Sequence, residues 1–86
     1  MPELCRFYGI VIRMYFADHP PPHFHALYAG QMVKIEIGTL RIITGRLPPR
    51  ALGLVMEWAA AHRADLERAW RQATAPGPID PIEPLP

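Results

Sequence analysis

The sequence predicts an α+β fold: an antiparallel β-meander of four to five strands, followed by one long or two shorter C-terminal helices packed on one face of the sheet. Two observations predict it. Up to about residue 45 short runs alternate apolar and polar side chains between two-residue turn signals, whereas from Arg50 onward apolar residues recur every three or four positions. Three separate turn assignments then put the apolar side chains on the same face, and such agreement between levels is what a specified meander requires.

Residues 4–7 and 10–16 read as the first hairpin, with Tyr8-Gly9 as its turn. This register opposes Phe7 to Ile10 and Cys5 to Ile12. Cys5, Phe7, Ile10, Ile12, Met14 and Phe16 then share the apolar side, and Leu4, Arg6, Val11, Arg13 and Tyr15 the other. A single strand with a bulge at Gly9 is the alternative. In the next hairpin Ala29-Gly30 separates residues 23–28 from 31–37. It pairs Tyr28 with Gln31, Ala26 with Val33 and Phe24 with Ile35 on the apolar side. Leu27 with Met32, His25 with Lys34 and His23 with Glu36 fall on the opposite side. A third turn at Gly38-Thr39 opposes Ile37 to Leu40, Glu36 to Arg41 and Ile35 to Ile42.

Gly45-Arg46-Leu47-Pro48-Pro49 ends the sheet, and proline suits the first turn of a helix. The stripe Ala51, Leu52, Val55, Trp58, Ala59, His62, Leu66, Ala69, Trp70 and Ala73 carries the helix to about residue 74. A break near residues 62–64 would divide it. Trp58 and Trp70 both read as core, as does His62, and Gly53 marks a place of close packing. The helical stripe covers the apolar sheet face and leaves the other open to water. Residues 1–75 therefore form a single α+β domain. Residues 76–86 form a proline-rich extended tail, whose Ile79, Ile82 and Leu85 are suited to dock on the body or on a partner.

Composition narrows the function classes. The chain has 86 residues, a formal net charge of +1 and a single cysteine. That charge gives no general pull toward nucleic acid, and Cys5 alone excludes an internal disulfide or a cysteine zinc site. Apolar runs are too short to span a bilayer, and the N-terminus lacks a signal-peptide pattern. A cytoplasmic location without membrane attachment is expected. Glycine-rich phosphate loops, zinc-finger spacings and Ser/His/Asp triad orders are absent from the sequence.

Chemistry concentrates in Asp18-His19-Pro20-Pro21-Pro22-His23-Phe24-His25. The prolines stiffen the loop, and strand alternation places His23 and His25 on the side opposite Phe24. The polar face would carry Arg13, Tyr15, His23, His25, Lys34, Glu36 and Arg41. Metal-independent RNA cleavage needs such a set. His23, His25, Glu36 and Tyr15 would serve as acid or base, with Lys34 and Arg41 at the phosphate. Arg13, Asp18 and His19 are read as binding residues. The plain alternative is a solvated face of cross-strand His–Glu and Glu–Arg pairs. No cofactor is expected on the main reading. The lesser alternative is a divalent transition metal held by His23 and His25 with His19 or Asp18.

An aromatic-Gly-Ile strand (Phe7-Tyr8-Gly9-Ile10) precedes Asp18-His19-x-Pro21-Pro22-His23-x-His25. Gly45-x-Leu47-Pro48 follows, then Trp58-x-x-x-His62-x-x-x-Leu66-x-x-x-Trp70 and a terminal Ile82-Glu83-Pro84-Leu85. The whole resembles a family of small prokaryotic proteins known only as domain of unknown function 4160. The resemblance implies a cognate small protein encoded nearby, with this chain as the toxin of a toxin–antitoxin pair, and carries no catalytic residues to transfer. The functional expectation is a toxin-like protein acting on RNA. The alternatives are a non-enzymatic protein–protein interaction module and a small metal-binding protein. Homo-oligomer formation is left open.

Overall fold

The computed structural model describes residues 2–86. Strands β1 (Glu3–Phe7), β2 (Ile10–Arg13), β3 (His23–Tyr28), β4 (Gln31–Glu36) and β5 (Ile42–Gly45) form one antiparallel sheet in chain order. Helices α1 (Pro49–Ala61) and α2 (Arg63–Ala73) follow. This is the expected α+β meander, with five strands and a divided helix. Among the described residues no helix is long and apolar enough to cross a membrane.

Turn chemistry sets the register. Tyr8-Gly9 and Ala29-Gly30 each take positive φ at both positions, 50° and 80° in the first and 51° and 80° in the second. That backbone twist matches the twist of the flanking strands. Phe7 accordingly faces Ile10, Ala26 faces Val33, and Phe24 faces Ile35.

The expected sidedness fails at three places, each with a local cause. The β1–β2 register shifts between Glu3 and Cys5. The irregularity turns Leu4 into the core at 1% exposure and leaves Cys5 half-buried. Strand β2 ends at Arg13, so Phe16 leaves the apolar face and is exposed. The β4–β5 register slips between Lys34 and Ile35. Ile42 still lies opposite Ile35 but is exposed.

His62 divides the helices. Its backbone N–H still bonds the Trp58 and Ala59 carbonyls of α1, while its own carbonyl accepts the Leu66 N–H of α2. Half-buried, it sends Nδ1 to Asp65 Oδ2 at 3.0 Å, in the first turn of α2. Helix α1 closes the apolar sheet face through Trp58, which is fully buried with its ring centroid 5.7 Å from Phe7 and 5.8 Å from Phe24. The tail docks on the body. Ile82 is buried and donates its N–H to the Leu4 carbonyl at 2.9 Å, Trp58 Nε1–H donates to the Glu83 carbonyl at 2.7 Å, and Tyr8 O–H donates to the Pro86 carbonyl at 2.6 Å.

Two glycines give opposite predictions. Gly45 has φ +83°, and a Cβ there would run into the Met32 carbonyl of the adjacent strand. Gly45→Ala is expected to lower the unfolding free energy by about 2–3 kcal/mol, through left-handed strain plus a backbone clash. Gly53 lies within α1 and has nothing within 4 Å of the position a Cβ would take. Close packing therefore does not explain it, and Gly53→Ala should stabilise by about 0.5–1 kcal/mol. Denaturant midpoints of the two variants, moving in opposite directions from wild type, check both.

Candidate functional site

The site forms where the loop before β3 folds back over the strand it feeds. The Ala17 N–H donates to the Ala73 carbonyl at the end of α2 at 3.0 Å, and the Ile37 N–H donates to the Pro22 carbonyl at 2.9 Å. Both ends of the loop are thus tied to the body. Within it the Pro20-Pro21 peptide is cis, and Asp18 Oδ1 accepts the His19 backbone N–H at 2.8 Å. This local bond orients the carboxylate. The other oxygen, Oδ2, lies 2.9 Å from His23 Nε2 and 3.7 Å from His25 Nε2.

Hydrogen-bond chemistry assigns the ring nitrogens. His23 Nδ1 is 2.8 Å from the Pro21 carbonyl oxygen, which can only accept, so Nδ1 carries a hydrogen. An ionised Asp18 also only accepts. The two His23 bonds together therefore require a ring protonated at both nitrogens, or another cation in place of the Nε2 proton. His25 Nδ1 donates to Met32 Sδ at 3.3 Å, so its Nε2 bears the lone pair. That Nε2 is buried without a hydrogen-bond partner among the described residues. The two imidazole centroids are 5.2 Å apart. Tyr15 meets His25 edge-on at 4.5 Å, and Trp70 lies 5.2 Å from His23.

His23 and His25 are 1% and 7% exposed. The expectation of a water-open face is corrected here: the Asp18 loop, Tyr15, Met32 and the α2 residue Trp70 close over this end of it. Burial, followed by the neighbouring His23 charge, lowers the His25 pKa against the opposing pull of Asp18. Burial pushes Asp18 upward, but the His19 N–H bond, the His23 bond and the charges of both histidines outweigh it and hold the carboxyl below its usual value. Burial and then Glu3 push the Cys5 thiol up to about 12, which disfavours the thiolate.

These directions fix a pH dependence. A depressed folded pKa gives stability that is fully present above the unfolded value and is lost as pH falls through the folded one. For His25 the loss starts below about pH 6.5, and for Asp18 below about pH 3.9. With chelator present, the melting temperature should therefore fall in two separate steps on acidification. His25→Asn should remove the upper step alone, as followed by calorimetry.

The structure brings together Asp18, His23 and His25, with Tyr15 against His25. Arg13 on β2 and Lys34 on β4 are the register neighbours of His25 on its two sides. Neither forms an ion pair among the described residues. Glu36 is the register partner of His23, but its carboxylate is held by Arg41 at 3.1 Å and Thr39 at 3.0 Å, so Glu36 and Arg41 bond each other and not the histidines. His19 is exposed and contributes its backbone N–H only. The group with metal-ligand potential is Asp18, His23 and His25, whose ligand atoms all lie within 4.8 Å of one another. Sequence reasoning missed Met32, the Pro21 carbonyl and Trp70. The pairing of Met32 with Leu27, beside His25 with Lys34, was the available signal for Met32. Nothing in the helical period separated Trp70 from Trp58.

A family model described as Domain of unknown function (DUF4160) matches residues 9–71, which include the whole Asp18–His25 segment. No curated protein and no solved structure matches the chain.

Proposed function

The chain belongs to the family described as Domain of unknown function (DUF4160), and from that premise we propose that it is a toxin-like RNA-cleaving protein of a two-protein bacterial module, covered by a cognate small protein encoded nearby. One observation supports this reading above others. His25 has a buried Nε2 without a hydrogen-bond partner among the described residues and lies in register between Arg13 and Lys34, neither of which forms an ion pair among those residues, beside a second imidazole whose bonds call for two protons. Those neighbouring strand positions would supply the base, the acid and the two cations that the reading needs.

In the metal-free protein His25 Nε2 takes the proton of a ribose 2′-hydroxyl. The new P–O2′ bond forms as the P–O5′ bond breaks, and His23 returns its Nε2 proton to the leaving 5′ oxygen. Arg13 and Lys34 hold the phosphate and its added charge. The Asp18 carboxylate lies 2.9 Å from His23 Nε2 and 3.7 Å from His25 Nε2, so on this reading the phosphate takes the carboxylate's place. Induction of the protein in its native host, with and without the neighbouring protein, tests the reading alongside an assay of the purified chain on single-stranded RNA. Growth arrest relieved by the neighbour, with cleavage in vitro, is expected. Unaffected growth and intact RNA would overturn it.

The second reading is a non-enzymatic interaction module. It is favoured by Ile42, exposed on the edge strand β5. A partner complex that keeps its biological effect after both His23 and His25 are replaced by alanine would select this reading.

A further inference from the structure

Asp18, His23 and His25 turn three ligand atoms toward one another, and the one hydrogen among them is that which His23 Nε2 carries toward Asp18 when its ring is doubly protonated. Both histidines spend their Nδ1–H groups on fixed acceptors, the Pro21 carbonyl at 2.8 Å and Met32 Sδ at 3.3 Å. Both Nε2 atoms consequently turn toward the same carboxylate oxygen, at 2.9 and 3.7 Å. An imidazole anchored through one nitrogen so that the other faces inward is the outer-shell arrangement that orients metal-bound histidines. The His25 Nε2 is the independent sign that something is to be bound: its residue is 7% exposed, and that atom has no hydrogen-bond partner among the described residues.

We propose that Asp18, His23 and His25 form a binding site for a divalent first-row transition metal, which enters between the two Nε2 atoms and the Asp18 carboxylate. Bonds of about 2.0–2.1 Å in tetrahedral geometry place neighbouring ligand atoms about 3.3 Å apart. The observed 2.9 and 3.7 Å separations lie on either side of that value, and all the ligand atoms fall within 4.8 Å. The two carboxylate–imidazole separations need only a few tenths of an ångström of adjustment, and the remaining one, bounded by 4.8 Å, has to shorten toward the same value as the metal enters. Two imidazoles and one carboxylate suit zinc, cobalt(II) or iron(II) and are too nitrogen-rich for magnesium or calcium. Three protein ligands leave a position for water, and Asp18, with its side chain 25% exposed, is the side from which solvent reaches it.

This inference deepens the reading of the same centre as the phosphodiester-cleaving one, and rests on it for its consequence. The metal takes the place of the His23 Nε2 proton, which leaves to solvent, and it occupies the His25 lone pair. Acid and base are then both engaged, so metal binding switches off the metal-free cleavage. Occupancy itself does not depend on any activity.

The test uses untagged full-length protein, freed of metal by chelator and titrated with Zn²⁺ by calorimetry and with Co²⁺ by visible absorption. Expected are one metal per chain, the intense absorption of a low-coordinate cobalt site, and histidine ¹⁵N shifts at Nε2 of His23 and His25 but not of His19 or His62. Asp18→Asn and His25→Ala should each weaken binding at least 100-fold, while His19→Ala leaves it unchanged. Because the buried His23 is the position whose loss endangers folding, Asp18→Asn carries the test, with circular dichroism as the check on fold. Binding equal in wild type and Asp18→Asn, or shifts confined to His19 and His62, would overturn the site. RNA cleavage that proceeds identically with saturating Zn²⁺ bound would overturn the switching consequence. One-to-one binding without any cleavage in the metal-free state would leave the metal site standing and remove the RNA reading.

Discussion

His25→Ala is expected to slow cleavage of single-stranded RNA by about 10²–10⁴-fold, the range lost when a positioned general base is removed. The effect should fall on kcat, because the lone pair of Nε2 is used only as the 2′-hydroxyl proton is transferred. Arg13→Ala and Lys34→Ala contrast with it. These cations flank His25 in register from β2 and β4; on the proposed reading they hold the phosphate before and during reaction, so their loss should raise KM as well as lower kcat. His19→Ala should change neither parameter, since that side chain is exposed and stands apart from the centre. Steady-state kinetics on a short RNA with chelator present separate the cases. Equal rates for wild type and His25→Ala would remove the acid–base account. A bell-shaped pH profile in the wild type that loses its acidic limb in His25→Ala would carry it further.

The meander was legible because its information is local. Tyr8-Gly9 and Ala29-Gly30 dictate their hairpins through backbone twist alone, and the period change at Arg50 is a property of the chain itself. The failures arose where a long-range contact overrode alternation. Leu4 belongs to the polar side by parity, yet the β1 irregularity turns it inward, beneath the tail residue Ile82 that bonds its carbonyl. Ile42 belongs to the apolar side and is exposed after the β4–β5 slip. Neither irregularity has a mark in its own residues.

The site was legible in part, and for the same reason. Strand parity places His23 and His25 together without further knowledge. What parity does not contain is the return of the loop. By sequence Asp18 reads as a peripheral binding residue and Glu36 as the carboxylate of the centre. The structure exchanges these positions, because Asp18 is turned over the imidazoles by the His19 N–H bond while Glu36 is taken up by Arg41 and Thr39. Which carboxylate meets the imidazoles is decided by loop closure, a long-range matter, since the start of the loop is bonded to the end of α2 through Ala17 and Ala73.

Trp58→Ala carries the largest expected loss of stability, about 3–5 kcal/mol, out of a total of roughly 4–13 kcal/mol for a domain of this length. The Trp58 ring is the piece of α1 on which the apolar face closes. It is fully buried, lies against Phe7 of β1 and Phe24 of β3, and spends its Nε1–H on the Glu83 carbonyl of the tail. Truncation opens a cavity between helix and sheet and leaves that carbonyl without its donor. Trp58→Phe separates the two contributions: it keeps most of the packing and loses the hydrogen bond, for about 1 kcal/mol. The tail should report the difference. Protease cleavage within residues 76–86 is expected to accelerate in Trp58→Phe before global stability changes much, because Ile82 and the Leu4 carbonyl then hold the tail without the tryptophan's help. Trp70→Ala should behave differently. Its ring is half-buried and its notable contact is His23, at 5.2 Å. Its stability loss should therefore be smaller than that of Trp58→Ala, and its larger consequence should appear in RNA cleavage, through a His23 no longer held in place. If the two tryptophan variants lose the same stability and the same activity, the division between a core tryptophan on α1 and a site-positioning tryptophan on α2 fails.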